Sequence, residues 1–147
     1  MGKVLLQIQK ADPKIILPRY ESDGAAGMDL RAFLDEDISI PPLGRIKIST
    51  GLKIEIPQGY EAQVRPRSGL ALKHGITVLN SPGTIDCDYR GIIEVILINL
   101  GNESFTVKNN ERIAQLVVSP VSSAQITEVE LLTDSKRGSS GFGSTGV

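Results

Sequence analysis

The strongest constraint on how this chain folds is that its apolar runs are short, are punctuated by turn-forming residues, and show no sustained 3.6-residue periodicity. Leu52, Ile54 and Ile56 alternate with Lys53 and Glu55, a period of two that turns one face inward and one to water. Similar runs occupy residues 4–8, 45–49, 61–65, 76–79, 92–98, 104–107, 113–118 and 126–131. Pro41-Pro42, Pro57-Gln58-Gly59, Ser81-Pro82-Gly83, Gly101-Asn102 and Asn109-Asn110 fall between them. Strands at roughly 8 to 12 residue spacing predict an all-β sandwich, barrel or jelly roll, with at most one short helix, at residues 69–73. Residues 92–98 are apolar everywhere but Glu94, which predicts a strand covered on both faces.

At 147 residues and 40% apolar content, the chain is long enough for one domain that buries roughly 68 to 70% of its unfolded surface. We expect that domain to span residues 1–136, with 137–147 a flexible Gly/Ser-rich arm. Sixteen Lys and Arg against 17 Asp and Glu make no basic field, so no nucleic-acid partner is expected. Apolar runs fall far short of the roughly 20 residues of a membrane span, and no cleavable leader pattern follows Met1, which predicts a cytoplasmic protein with no membrane partner. Cys87 has no second cysteine to pair with. With His74 as the lone histidine, a metal would need oxygen ligands, which favours magnesium.

Several segments carry candidate chemistry. In "RPRSGLALKHG", Arg67 offers a forked donor, Ser68 a hydroxyl and Gly69 a backbone N–H open to close approach, a set that fits phosphate or an ordinary surface turn. The stretch "GTIDCDYRG" crowds Asp86, Asp88 and Arg90 against the apolar run. If extended, it puts both acids on one face as a magnesium site or as one catalytic and one structural acid; otherwise it is a polar hairpin tip. Between two carboxylates Cys87 is a poor nucleophile. Asp29 follows a glycine turn in "AGMDLRA", and Gln115 interrupts the apolar run of "ERIAQLVV"; each has an ordinary solvated or backbone-paired reading. The tail "RGSSGFGSTG" nearly spells a phosphate-cradling loop but lacks its lysine, strand and helix. It remains either a mobile terminus or an anion clasp built from Arg137, serines and glycines around Phe142.

In this order the five segments resemble the five motifs of the homotrimeric deoxyuridine triphosphatases, a likeness running over residues 26–146. Met28 stands where an aromatic or leucine is common there, and Cys87 where serine or glutamate is frequent. The resemblance implies a jelly-roll-like β-barrel, a homotrimer with shared active sites, and hydrolysis of dUTP to dUMP and pyrophosphate, which supplies dUMP for thymidylate synthesis and keeps uracil out of DNA. It implies that Asp86 activates water for attack on the α-phosphorus and that the segment from Asn80 to Glu94 is a hairpin reading uracil. Thr84 and Ile85 then line the deoxyribose and Tyr89 packs beneath it. Arg67, Ser68, Gly69 and Gln115 hold the phosphates, while Arg137, Ser139, Ser140, Phe142 and Gly143 close over a neighbouring subunit's site. Mg2+ is held mainly by the substrate's phosphates, with Asp29 in its outer shell through water. The related deoxycytidine triphosphate deaminases lack the complete glycine-rich tail motif, and a jelly-roll binding module has no use for Asp86, Gln115 and Arg137 together.

Overall fold

A computed structural model describes residues 2–146. Among them are eleven strands and one helix: β1 (Gln7–Lys10), β2 (Met28–Arg31), β3 (Ile38–Ile40), β4 (Arg45–Ser49), β5 (Leu52–Glu55), β6 (Tyr60–Arg65), α1 (Ser68–His74), β7 (Ile76–Val78), β8 (Gly83–Ile85), β9 (Glu94–Asn99), β10 (Phe105–Val107) and β11 (Arg112–Pro120). All ladders are antiparallel. The largest sheet has the order β2-β11-β6-β8; β4-β9-β7 forms a second, and β1-β5 and β10-β3 are two-stranded. The expected all-β class holds, but among the described residues the four sheets do not join into one closed barrel.

Alternation explains the packing. In β5, Leu52 and Ile54 are buried while Lys53 and Glu55 face water. Leu30 of β2, Ile48 of β4, Val95 and Leu97 of β9, Val107 of β10 and Leu116 of β11 are fully enclosed in one core. Each such side chain contributes about 1.5 to 3 kcal/mol through burial. Among the described residues the two buried polar ones are satisfied: Thr50 Oγ1 donates to the Ile93 carbonyl at 2.7 Å, and Asn99 Nδ2 donates to the carbonyls of Ile40 at 2.9 Å and Glu103 at 2.8 Å. The helix stops at Gly75, whose φ of 67° suits glycine and whose missing Cβ would lie 2.5 Å from the Gly101 nitrogen.

Three expectations fail for identifiable reasons. Residues 126–131 are not a strand: they pair with no strand of the same chain, and Ile126 and Leu131 are almost wholly exposed. β9 is not covered on both faces: Val95, Leu97 and Asn99 are buried, whereas Ile96 and Ile98 are only partly covered. The segment from Asn80 to Glu94 is not a ladder-paired hairpin, since β8 pairs with β6 while β9 pairs with β4 and β7. It is a crossing between two sheets.

Candidate active site

One outer face of the four-stranded sheet collects polar side chains in register. Arg65 of β6, Gln115 of β11 and Asp29 of β2 stand opposite one another across three strands, and Thr84 of β8 stands opposite Gln63. Residues directly opposite project to the same face, so the strand order itself builds this row. Gln115 Nε2 donates to the Pro66 carbonyl at 3.2 Å. A Cβ on Gly27 would lie 2.9 Å from Gln115 Oε1, so glycine there leaves room for the amide. Gln115 also lines a shallow hollow with Gly27, Arg65, Ser81 and Pro82.

Asp29 is the electrostatic centre of that face. Arg67 Nε approaches its Oδ1 at 3.3 Å and Arg112 Nη1 its Oδ2 at 3.4 Å, while the Asp29 side chain is only 18% exposed. Arg67 Nη1 also donates to the Arg112 carbonyl at 3.1 Å. Arg67 is the extended residue preceding α1, and Ser68 and Gly69 are exposed in that helix's first turn, where backbone N–H groups have no intrahelical acceptor. Arg112 has no assigned role in the sequence reading. Its signal in the sequence is a cation standing immediately before the apolar run of "ERIAQLVV".

A second group forms a cavity of about 200 Å³ walled by Thr84, Ile85, Asp86, Tyr89, Ile92, Ile93 and Glu94. A turn makes it: the Tyr89 N–H donates to the Asp86 carbonyl at 3.1 Å, so residues 86–89 fold back instead of running extended. The two acids therefore do not share a face. Asp88 lines a different hollow with Cys87, Glu55, Gln58 and Arg90, and no ion pair among the described residues includes Asp86. The phenol of Tyr89 donates to the Ile92 carbonyl at 3.0 Å, and a Cβ on Gly91 would collide with that ring. Asn80 lies beside buried Gly83, its amide nitrogen 3.3 Å from where a Cβ would stand. At the cavity rim Lys47 Nζ meets Glu94 Oε2 at 2.8 Å, and hydrogen bonding and charge from Glu94 raise the Lys47 amine above its ordinary value.

The third group lies apart from both. Strand β11 ends at Pro120, where the Val121 N–H donates to the Gly59 carbonyl at 2.9 Å. Beyond it, Arg137, Ser139, Ser140, Phe142 and Gly143 are exposed and bond only locally, as when Arg137 Nε donates to the Ser140 carbonyl at 2.8 Å. Phe142 and Gly143 have φ of 49° and 80°, and the Phe142 ring touches nothing that shields it. Val147, the end of the expected arm, lies outside the described residues.

Among the described residues no group of three or more His, Cys, Asp or Glu is placed to hold a metal, and both Asp29 oxygens already face arginines. A resident, protein-caged cation does not fit. A hydrated magnesium carried by a ligand's own phosphates does, since that ion keeps most of its waters. No helix among the described residues is long and apolar enough to cross a membrane.

Comparison with known proteins bears on the chain as a whole. The dUTPase family model matches residues 13–146. The deoxyuridine 5'-triphosphate nucleotidohydrolase of Wolinella succinogenes is 58% identical over 146 residues, covering 99% of this chain and 97% of that protein. Its counterpart in Cytophaga hutchinsonii is 61% identical over 130 residues, covering 88% and 84%. Among solved structures, the Staphylococcus bacteriophage 80alpha dUTPase with dUPNHPP is similar at a TM-score of 0.82 and 27% identity, over 97% of this chain and 99% of the phage chain.

Proposed function

The chain belongs to the dUTPase family, and from that premise we propose that it hydrolyses dUTP to dUMP and pyrophosphate, with Asp86 activating the water that attacks the α-phosphorus. The observation that carries the reading is the unpaired carboxylate of Asp86 in a cavity it shares with Thr84, Ile85 and Tyr89. An acid free of ion pairs there is available to accept a proton from water, and a positioned base of this kind is worth about 10² to 10⁴ in rate.

The remaining residues position and neutralise, which is most of what phosphoryl chemistry asks of a protein. In this reading the Tyr89 ring, held by its bond to the Ile92 carbonyl and given room by Gly91, floors the deoxyribose. Backbone groups from Asn80 onward read uracil, and a base with the wrong donor pattern leaves them unpaired, a penalty that reaches about 10⁴. Arg67, Ser68, Gly69 and Gln115 take the phosphate chain. Magnesium bound by the phosphates would supply charge screening for the departing pyrophosphate. Asp29, already engaged by two arginines, would reach such an ion only through water.

The cavity around Asp86 and the hollow around Gln115 share no lining residue, and residues 137–146 touch neither. That separation supports a homotrimer in which each site draws the uracil cavity, the phosphate face and the arm from different chains, with Phe142 covering the base. Incubation with each deoxynucleoside triphosphate and magnesium, assaying pyrophosphate and ammonia, tests the activity. Pyrophosphate from dUTP alone is expected. Ammonia from dCTP would mean a deaminase, and neither product a binding module.

A further inference from the structure

Strand β11 carries an irregularity that none of the roles above uses. Gln115 points to the outer face and Ala114 is buried, so a regular period of two would turn Ile113 outward and Arg112 into the core. Instead Ile113 and Ala114 are both buried, at 1% and 0% exposure, and Arg112 is exposed. The ladder with β2 explains the break. Arg112 pairs with Arg31 and Ala114 with Leu30, so Ile113 is an extra residue on one strand, a β-bulge. Bulges re-aim side chains. This one brings Arg112 onto the face that carries Gln115 and Asp29.

Arg112 makes two contacts there, and both converge on Arg67. Its guanidinium takes one oxygen of Asp29 while Arg67 takes the other, and its carbonyl accepts from Arg67 Nη1. Arg67 is therefore held through Nε by Asp29 and through Nη1 by the Arg112 backbone. The cluster of two arginines and one carboxylate keeps a net positive charge on the phosphate face. Such a charge attracts an anion, and a guanidinium fixed at two of its nitrogens loses less freedom when it meets one.

We infer that Arg112, turned outward by the bulge at Ile113, is a positioning residue: it orients Asp29 and through it sets the guanidinium of Arg67 that receives the triphosphate. The inference rests on the hydrolytic reading above and adds to it the device that aims its phosphate-binding arginine. An Arg112→Gln substitution leaves the backbone carbonyl in place and removes only the charged hold on Asp29. The Arg112 side chain is 46% exposed, so its removal leaves no cavity in the core.

The test measures the affinity of the full-length protein for dUPNHPP and for dUMP by calorimetry, with dUTP turnover of the wild type run alongside. In Arg112→Gln, dUPNHPP affinity should fall about tenfold, the scale of one charge-assisted hydrogen bond, while dUMP affinity stays unchanged. Arg112→Lys should recover part of the loss. Asp29→Asn combined with Arg112→Gln should bind dUPNHPP no more weakly than Asp29→Asn alone, because both changes sever one chain of contacts. Wild-type affinity for dUPNHPP in Arg112→Gln, equal losses for both nucleotides, or additive losses in the double variant would each overturn the inference while leaving hydrolysis standing. Absence of dUTP turnover in the wild type would overturn the hydrolytic reading itself.

Discussion

The cavity around Asp86 and the C-terminal arm are about equally dense in residues expected to touch substrate, yet they are supported in opposite ways. The cavity rests on β8 and β9, whose inward side chains Ile85, Val95 and Leu97 are part of the core, so its walls are fixed by the same burial that folds the domain. The arm has no such floor: Phe142 is fully exposed and the Arg137 guanidinium bonds only to its own turn. One region is ready before any ligand arrives. The other has no core side chain beneath it, and under the proposed reading it is the part that closes over a site.

Four changes sharpen or break that contrast. Asp86→Asn should lower kcat by about 10² to 10⁴ while dUPNHPP binding and thermal stability stay near wild type, since the carboxylate joins no ion pair. Full activity in that variant would remove Asp86 from its role. Removal of residues 137–147 should cost about 10² in kcat/KM, the scale of lost positioning, with no fall in Tm; a lower Tm would mean the arm supports the fold after all. Gly91→Ala forces the Tyr89 ring aside. It should cost at most about 1 kcal/mol, the scale of the Tyr89 to Ile92 hydrogen bond, since the half-exposed ring can swing outward, and narrow the preference for dUTP over UTP, read as the ratio of kcat/KM values.

The smallest effect belongs to Lys47. Its amine is raised in the folded state by the bond to Glu94, so the stability it contributes is present below the ordinary lysine value of 10.5 and is lost as pH rises through the higher folded value. Because the pair is exposed, Lys47→Met should shift Tm only slightly near neutral pH and flatten the alkaline end of the profile. A large shift at neutral pH would show that the cavity rim depends on this pair.

Alternation was enough to find most of the sheets. Leu52, Ile54 and Ile56 announce β5, and the core side of β6, Ala62 and Val64, follows from the same rule. Strands β2, β3 and β8 are absent from the alternating runs, and length alone does not account for it, since β7 and β10 are as short. Residues 126–131 are strand-like in pattern, but a strand needs a paired neighbour, and these residues pair with no strand of the same chain. At the site, residue types pointed to phosphate and acid chemistry. The resemblance singles out Asp86; the structure adds that a single turn, with its Tyr89 to Asp86 hydrogen bond, sends Asp86 and Asp88 to different hollows. The bulge at Ile113 was equally out of reach, since an extra residue in a ladder is defined by the partner strand.

The most direct test of a fixed floor and a borrowed cover is complementation. Asp86→Asn protein, which keeps its arm, and protein lacking residues 137–147, which keeps Asp86, are unfolded together, refolded as mixed assemblies and assayed with dUTP. Activity well above the sum of the two separate preparations is predicted, because some sites then combine an intact Asp86 with an intact arm from another chain. Activity equal to that sum at every mixing ratio would mean that arm and acid serve the same chain, contradicting the account.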